Sequence, residues 1–323
     1  MLQRFVSFLS RKFLSSHQLY VLFRLNGNGL GDMLIMTAVM RLIYRATGQR
    51  FIILTKKPDI FAHNPLVARV IPISGPIIKP FAKWFMRNIH HDHMGECCWR
   101  PGQAITPDIV QQDHRRPVHL AQLNSEHLGL NLNYSKIACE IYFSDDELLT
   151  WDRKYRDLPQ DFAIIKPTGR TDWTPNKEWG VENYQAVVNG LPQIPWIQVG
   201  ESKDECLHNV LDLRGKTSVR ELFYLIKRAR FVLAVEGLYN HAASAFGTPS
   251  FVVFSGIHLP EIACYANTRA IVRVPQMACA PCMLPTPCLV PGKPCTGDIR
   301  PEAVIQRLQA FLGQGAGEGS SLH

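Results

Sequence analysis

The sequence predicts an α/β protein of two successive units, each a largely parallel sheet covered by helices, and three observations carry that prediction. Short apolar runs rich in strand formers alternate with helical patterns along most of the chain. Two glycine-containing turns, at 26–32 and 236–241, each stand between such a run and a helix. A polar stretch at 144–160 separates an early set of alternations from a later one, so the second unit begins near residue 156. The 323 residues also suit two domains of about 150 residues each.

Taken in order, residues 1–18 stand apart from that alternation. Leu2, Phe5, Val6, Leu9 and Phe13 recur at helical spacing, with Phe8 and Leu14 widening the stripe, while Arg4, Arg11, Lys12 and serines fill much of the rest. This pattern suits a basic amphipathic helix on an anionic membrane surface, a transit peptide, or an ordinary helix docked on the body of the protein. Strands are expected at 20–25, 51–54 and 67–73, with a helix through Met33, Leu34, Met36, Val39, Met40, Leu42 and Ile43. Prolines and histidines break the pattern at 76–117, where loops and short helices are expected. In the second unit, strands are expected at 162–166, 196–199, 231–235, 250–254 and 270–274, and helices at 181–189, 219–227 and 239–246. Residues 313–323, rich in Gly and Ser, predict a disordered tail. The domain reading is therefore an N-terminal helix (1–18), a first α/β domain (19–155), a second (156–312) carrying a Cys-rich loop at 277–298, and the tail. Two such units suggest a cleft, since open sheets bind ligands at the carboxyl ends of their strands.

Composition narrows the function classes. Apolar residues at 46% and charged residues at 19% exclude a disordered chain. Lys and Arg number 35 against 27 Asp and Glu, a net +8 that favours anionic partners such as nucleotides, phosphorylated sugars or acidic lipid surfaces. No apolar run reaches the ~18 residues of a membrane span. The nine cysteines read as reduced thiols or metal ligands before they read as a disulfide framework.

After the first strand comes Arg24-Leu25-Asn26-Gly27-Asn28-Gly29-Leu30-Gly31-Asp32 and then a helix. Gly29 and Gly31 let the backbone turn tightly. A dinucleotide fingerprint would place its third glycine where Asp32 stands, and a carboxylate there would repel a pyrophosphate, which rules that motif out. Asp32 suits either a helix cap or a general base that takes a proton from an acceptor hydroxyl. In the second unit, an apolar strand ends at Glu236, and Gly237-Leu238-Tyr239-Asn240-His241 opens a helix of small residues whose free N–H groups suit a phosphate. Glu236 and His241 could hold hydroxyls. Lys177, just before another helix, could balance a diphosphate. Taken singly, Lys177 also suits a solvated surface charge, and His241 a satisfied buried histidine.

Cys279, Cys282, Cys288 and Cys295 fit a tetrahedral thiolate site for structural zinc or iron, or thiols that brace a Pro-rich loop. His90-His91-Asp92-His93 with Cys97 and Cys98 also has metal-ligand chemistry, although histidine runs in irregular loops are usually solvated.

Leu30-Gly31-Asp32-Met33-Leu34, Asn176-Lys177-Glu178-Trp179, Leu213-Arg214-Gly215-Lys216-Thr217-Ser218 and the run from Glu236 to Ala245, in this order, resemble glycosyltransferase family 9, the ADP-heptose:lipopolysaccharide heptosyltransferases and their relatives. The resemblance implies the GT-B architecture, two Rossmann-like domains facing across a cleft. It implies an enzyme that moves a sugar, heptose from ADP-heptose being favoured, with inversion and without a metal, to a hydroxyl of a bacterial surface glycan such as lipopolysaccharide core. It assigns Asp32 as general base, Lys177 to the donor phosphates, and Glu236, Gly237, Leu238 and His241 to the donor loop. Thr217 falls at the nucleoside contact, and Asp204 or Glu205 near the ribose-binding acid. No cofactor is needed for the chemistry, and the Cys loop is the place for a structural metal. The implied partners are the nucleotide-sugar donor and a glycan or glycolipid acceptor, with no nucleic acid. The implied location is cytoplasmic, with the N-terminal helix as a peripheral contact to the membrane. The sequence departs from the family pattern where Glu236, Gly237 and Leu238 replace a common Asp, Ser or Thr, and Gly, which leaves another nucleotide sugar, or a non-catalytic scaffold or metal-binding role, as alternatives.

Overall fold

A computed structural model of the chain describes residues 19–24, 29–48, 50–72, 94–96, 116–127, 134, 136–169 and 174–317. The chain divides into two compact units, one of Met1–Lys154 with Ser244–Phe246, the other of Tyr155–Ala243 with Gly247–His323. The amphipathic stretch 1–18, the turn residues 25–28 and the His90–Cys98 cluster's residues 90–93, 97 and 98 lie outside the described residues.

In the first unit, β1 (Leu19–Arg24), β2 (Arg50–Thr55), β3 (Val67–Pro72) and β4 (Met94–Glu96) form a parallel sheet in the order β3-β2-β1-β4. Helix α1 (Leu30–Thr47) links β1 to β2. It is buried along much of its length, Met33, Leu34, Ile35, Met36, Val39, Met40, Leu42 and Ile43 all being inaccessible to solvent. It ends at Gly48, whose φ of +70° and N–H bond to the Tyr44 carbonyl close the last turn. Helices α2 (Leu120–His127) and α3 (Asp145–Lys154) follow, so most of the expected linker at 144–160 is helix. The expectation of loops and short helices at 76–117 needs correction at β4. A three-residue strand carries no periodicity, and its state is set by pairing alongside Val21–Phe23 of β1 (Val21 with Met94, Phe23 with Glu96).

The second unit holds β5 (Ala163–Lys166), β6 (Trp196–Gln198), β7 (Leu211–Asp212), β8 (Phe231–Val235), β9 (Ser250–Val253) and β10 (Thr268–Ile271). All pair in parallel, in the order β10-β9-β8-β5-β6-β7. Every residue of β5, β6, β8 and β9 is buried, which explains why they appear as continuous apolar runs: both faces of the sheet are covered. Around them lie α4 (Val181–Gly190), α5 (Val219–Arg228), α6 (Leu238–Phe246) and α7 (Pro301–Gly317). Helix α5 begins with a reciprocal cap, Glu221 N–H donating to Ser218 Oγ and Ser218 N–H donating to the Glu221 carboxylate.

Helix α7 also corrects the expected tail at 313–323, since it continues through Gly317.

The chain runs from β5 outward to β6 and β7, then returns to place β8 on the other side of β5. The crevice beyond the carboxyl ends of β5 and β8 is therefore the topological switch point, the position where open α/β sheets take ligands. Phe231 anchors this centre, its ring meeting Trp196, Phe251 and Phe311 edge-on at 5.6, 5.7 and 5.9 Å between centroids. Phe231→Ala should lower the unfolding free energy of the second unit by about 3–5 kcal/mol, measured by urea titration; a loss under 1 kcal/mol would contradict this account of the core.

Candidate functional site

The candidate site is assembled at that switch point. Strand β5 ends in Lys166, which is buried with its Nζ 2.7 Å from Asp204 Oδ2 and also donating to Thr168 Oγ1. Asp204 Oδ2 accepts the Glu201 N–H at 2.8 Å as well. Burial works to raise the Asp204 pKa, but the Lys166 ammonium and the Glu201 amide outweigh it and lower the carboxyl below its ordinary value. Gly200 makes this pairing possible. At φ +141°, a Cβ there would fall 2.3 Å from Asp204 Oδ2 and 3.1 Å from Lys166 Cε.

On the other side of the switch, β8 runs into Glu236, which is buried. Its Oε2 pairs with Lys177 Nζ, and His258 Nδ1 lies 3.5 Å from the same oxygen. Burial alone would raise this carboxyl, but Lys177 and then His258 overcome it and hold it well below the usual carboxylate range. Lys177 closes the 3-10 turn Pro175–Lys177, which Thr174 caps by accepting the Asn176 N–H at 3.2 Å.

Gly237 follows Glu236 at φ +150°, a conformation that disfavours any side chain, and among the described residues nothing lies within 4 Å of where its Cβ would be. The backbone there can approach a ligand closely. Helix α6 begins at the next residue, so its first N–H groups lack intrahelical carbonyls and open beside Gly237. Its start is fixed by Asn240, whose amide donates to the Ala263 carbonyl at 2.6 Å and accepts from Ser250 and Thr268 at 2.9 and 2.7 Å. Together these groups form an anion-compatible cradle: a glycine backbone, a helix start, and a lysine held in place by a carboxylate.

The other expected residues are distributed as follows. Leu238 is half-buried in the first turn of α6. His241 is 3% exposed, with Nδ1 2.7 Å from the Tyr265 hydroxyl. Glu205 is exposed, while its carbonyl accepts from Gln198. Thr217 is half-buried just before the α5 cap. In the first unit, Gly29 is the N-cap residue of α1 and makes no side-chain cap bond; Gly31 and Asp32 sit in the first turn, so Asp32 is not the helix cap.

Cys279, Cys282, Cys288 and Cys295 are free thiols on the loop between β10 and α7. Burial pushes the Cys282 thiol up, and the neighbouring sulfurs of Cys279, Cys295 and Cys288 add to it, so the four share one locality. Their donor chemistry suits a soft metal, but among the described residues no three His, Cys, Asp or Glu side chains are gathered as ligands of one ion. Among the same residues, no helix is long and apolar enough to cross a membrane.

The sequence did not single out Lys166 or His258. The signal for Lys166 was available, a cation ending a buried apolar strand just before Pro-Thr-Gly; none marks His258 short of knowing that β9 lies beside β8.

The family model for glycosyltransferase family 9 (heptosyltransferase) matches residues 115–288, more than half of the chain and most of the site just described. The chain belongs to this family. It is thus a glycosyltransferase with the GT-B fold of two Rossmann-like units. Solved structures agree on the fold. The family 9 glycosyl transferase of Veillonella parvula is 14% identical over 92% of this chain and 98% of its own, with a TM-score of 0.67. The ADP-heptose lps heptosyltransferase II of E. coli is 14% identical over 93% and 99%, with a TM-score of 0.64. The iron-containing dodecameric glycosyltransferase TibC of enterotoxigenic E. coli is 13% identical over 92% and 76%, with a TM-score of 0.66. No curated protein matches the chain.

In this family 9 member the Glu236 pair governs a pH response. Its folded carboxyl titrates below the ordinary 4.5 of an unfolded glutamate, so the pair's contribution is fully present above that value and is lost as pH falls through the folded one. Glu236→Gln should cost about 3–5 kcal/mol near neutral pH by removing the buried carboxylate from Lys177, and the gap from the native chain should shrink below pH 4.5. Denaturant titrations across that range check this, and a gap independent of pH would refute it.

Proposed function

We propose that this enzyme transfers heptose from ADP-heptose, with inversion and without a catalytic metal, to a hydroxyl of a bacterial surface glycan such as lipopolysaccharide core. The observation that carries the proposal is the cradle at the β5/β8 switch point, where Lys177 and the Gly237 helix start offer positive charge to a diphosphate. Membership in the heptosyltransferase family supports it, as do solved relatives of the same fold, among them E. coli WaaC, seen with ADP.

In the proposed reaction Asp32 takes the proton of the acceptor hydroxyl while that oxygen bonds to the anomeric carbon. The bond from that carbon to the diphosphate oxygen breaks on the opposite face, and its electron pair leaves with the nucleoside diphosphate. Lys177 and the N–H groups beside Gly237 stabilise the charge that grows there, each preorganised donor being worth about 3–4 kcal/mol in rate terms. These groups supply the neutralisation that another enzyme would draw from a divalent cation. Asp204, already held by Lys166, and Thr217 lie on the segments proposed to face the nucleoside.

Another nucleotide sugar is the second reading. It is favoured by Glu236, whose carboxylate is committed to Lys177 and His258 rather than left for a sugar hydroxyl. A structural zinc or iron on Cys279, Cys282, Cys288 and Cys295 is proposed as well, supported by the shared locality of four sulfur donors; their side chains would have to turn toward one point.

Asp32→Asn should cut transfer from ADP-heptose by about 10²–10⁴-fold with donor affinity kept. Lys177→Ala should weaken both, with a rate loss of about 10²–10³-fold, the effect of deleting one preorganised donor. ADP release and calorimetric binding read these, and an unaltered rate in Asp32→Asn would remove it as the base. Elemental analysis of the purified chain should find one zinc or iron per chain; four freely titrating loop thiols with no metal would overturn that assignment.

A further inference from the structure

The Cys-rich loop is tied directly to the segment that carries the phosphate lysine. Asn176, buried and immediately before Lys177, spends its side chain on that loop. Its amide donates to the Leu284 carbonyl at 3.0 Å and to the Thr286 carbonyl at 2.6 Å, while its oxygen accepts the Cys288 N–H at 2.9 Å. Thr174, also buried, adds a fourth bond by donating to the Leu284 carbonyl at 2.8 Å. One residue past Lys177, the Glu178 carbonyl accepts from Lys293 Nζ and from Thr296 Oγ1, so the lysine is anchored on both sides by one stretch of chain.

The same loop reaches the other partner of Glu236. Cys282 N–H donates to the Gly256 carbonyl at 2.7 Å and Met283 N–H to the Ile257 carbonyl at 3.4 Å, just before His258. Gly256 packs against the loop closely, a Cβ there falling 3.4 Å from Cys295 Cβ and 3.7 Å from Ala280 Cβ. Lys177 and His258, the two partners of the buried carboxylate, therefore stand on backbone that the loop grips, although neither is part of it.

We infer that Asn176 is a positioning residue: through its three bonds, the Cys-rich loop sets where Lys177 Nζ stands, and so how tightly a nucleoside diphosphate is held. The consequence for binding rests on the donor reading above; the placement of Lys177 does not. Buried amides with every bond satisfied are suited to this task, since losing one leaves loop carbonyls unpaired and frees the segment to shift.

The test compares the native chain with Asn176→Ala, and with Asn176→Asp, which keeps the acceptor for Cys288 and loses both donors, should the alanine variant fold poorly. Lysine acetylation followed by mass spectrometry reads Lys177 directly. Lys166 and Lys203, whose side chains are 9% and 80% exposed, serve as buried and exposed controls. Acetylation of Lys177 should rise about tenfold with both controls unchanged. The ratio of ADP to adenosine affinity should fall about tenfold, adenosine lacking the phosphates. An unchanged Lys177 rate overturns the inference, and so does a joint rise of Lys166 and Lys177, which would mean general loosening. Lys177→Ala separates the two proposals: if it leaves ADP affinity intact, the donor reading fails, while the acetylation result still decides the placement.

Discussion

A buried carboxylate held by a lysine ammonium, with an imidazole nitrogen 3.5 Å from the same oxygen, is the constraint from which the second unit's chemistry follows. Glu236 could not remain ionised in that position alone, because removing an unpaired charge from water costs several kcal/mol. Lys177 and His258 make it tolerable, and each arrives from a different part of the chain. In exchange, the carboxylate fixes a lysine that would otherwise sample many rotamers. A cation held in place before its ligand arrives has less reorganisation to undergo when charge develops on that ligand.

The Lys166–Asp204 pair repeats this arrangement one strand away. Lys166 ends β5 and Glu236 follows β8, so the sheet delivers these two to one edge, while Asp204 and Lys177 reach them from the segments after β6 and β5. Glycine enters where side chains must be absent: Gly200 leaves room for the first pair, and Gly237 leaves backbone open beside the second. Ala242 and Ala243 of α6 are fully buried, small side chains that permit close packing.

Much of this was legible in the sequence, for physical reasons. Strands buried on both faces leave unbroken apolar runs, and β5, β8 and β9 were visible on that ground; β4 was not, because three residues with a central glycine become a strand only by lying beside β1. Lys177, Glu236 and Gly237 were visible as ordered motifs around helix starts. What the sequence could not state is strand order. Without knowing that β9, β8, β5 and β6 are neighbours in that sequence, nothing links His258 to Glu236 or Lys166 to Asp204. The Tyr265 partner of His241 likewise lies outside α6 and leaves no local signature. The Asn176 bonds to the Cys-rich loop span more than a hundred residues and leave no local signature.

The reversal of strand order between β5 and β8 also bears on biosynthesis. Ala163 pairs with Phe231, and the partner strands on the far side, β6 and β7, are made in between. A ribosome-bound chain that has emerged only through β7 thus has half a sheet whose central strand exposes an unpaired edge. Gly237 and the start of α6 have yet to be translated at that point. Until β8 leaves the exit tunnel, the open edge of β5 is exposed to misassociation.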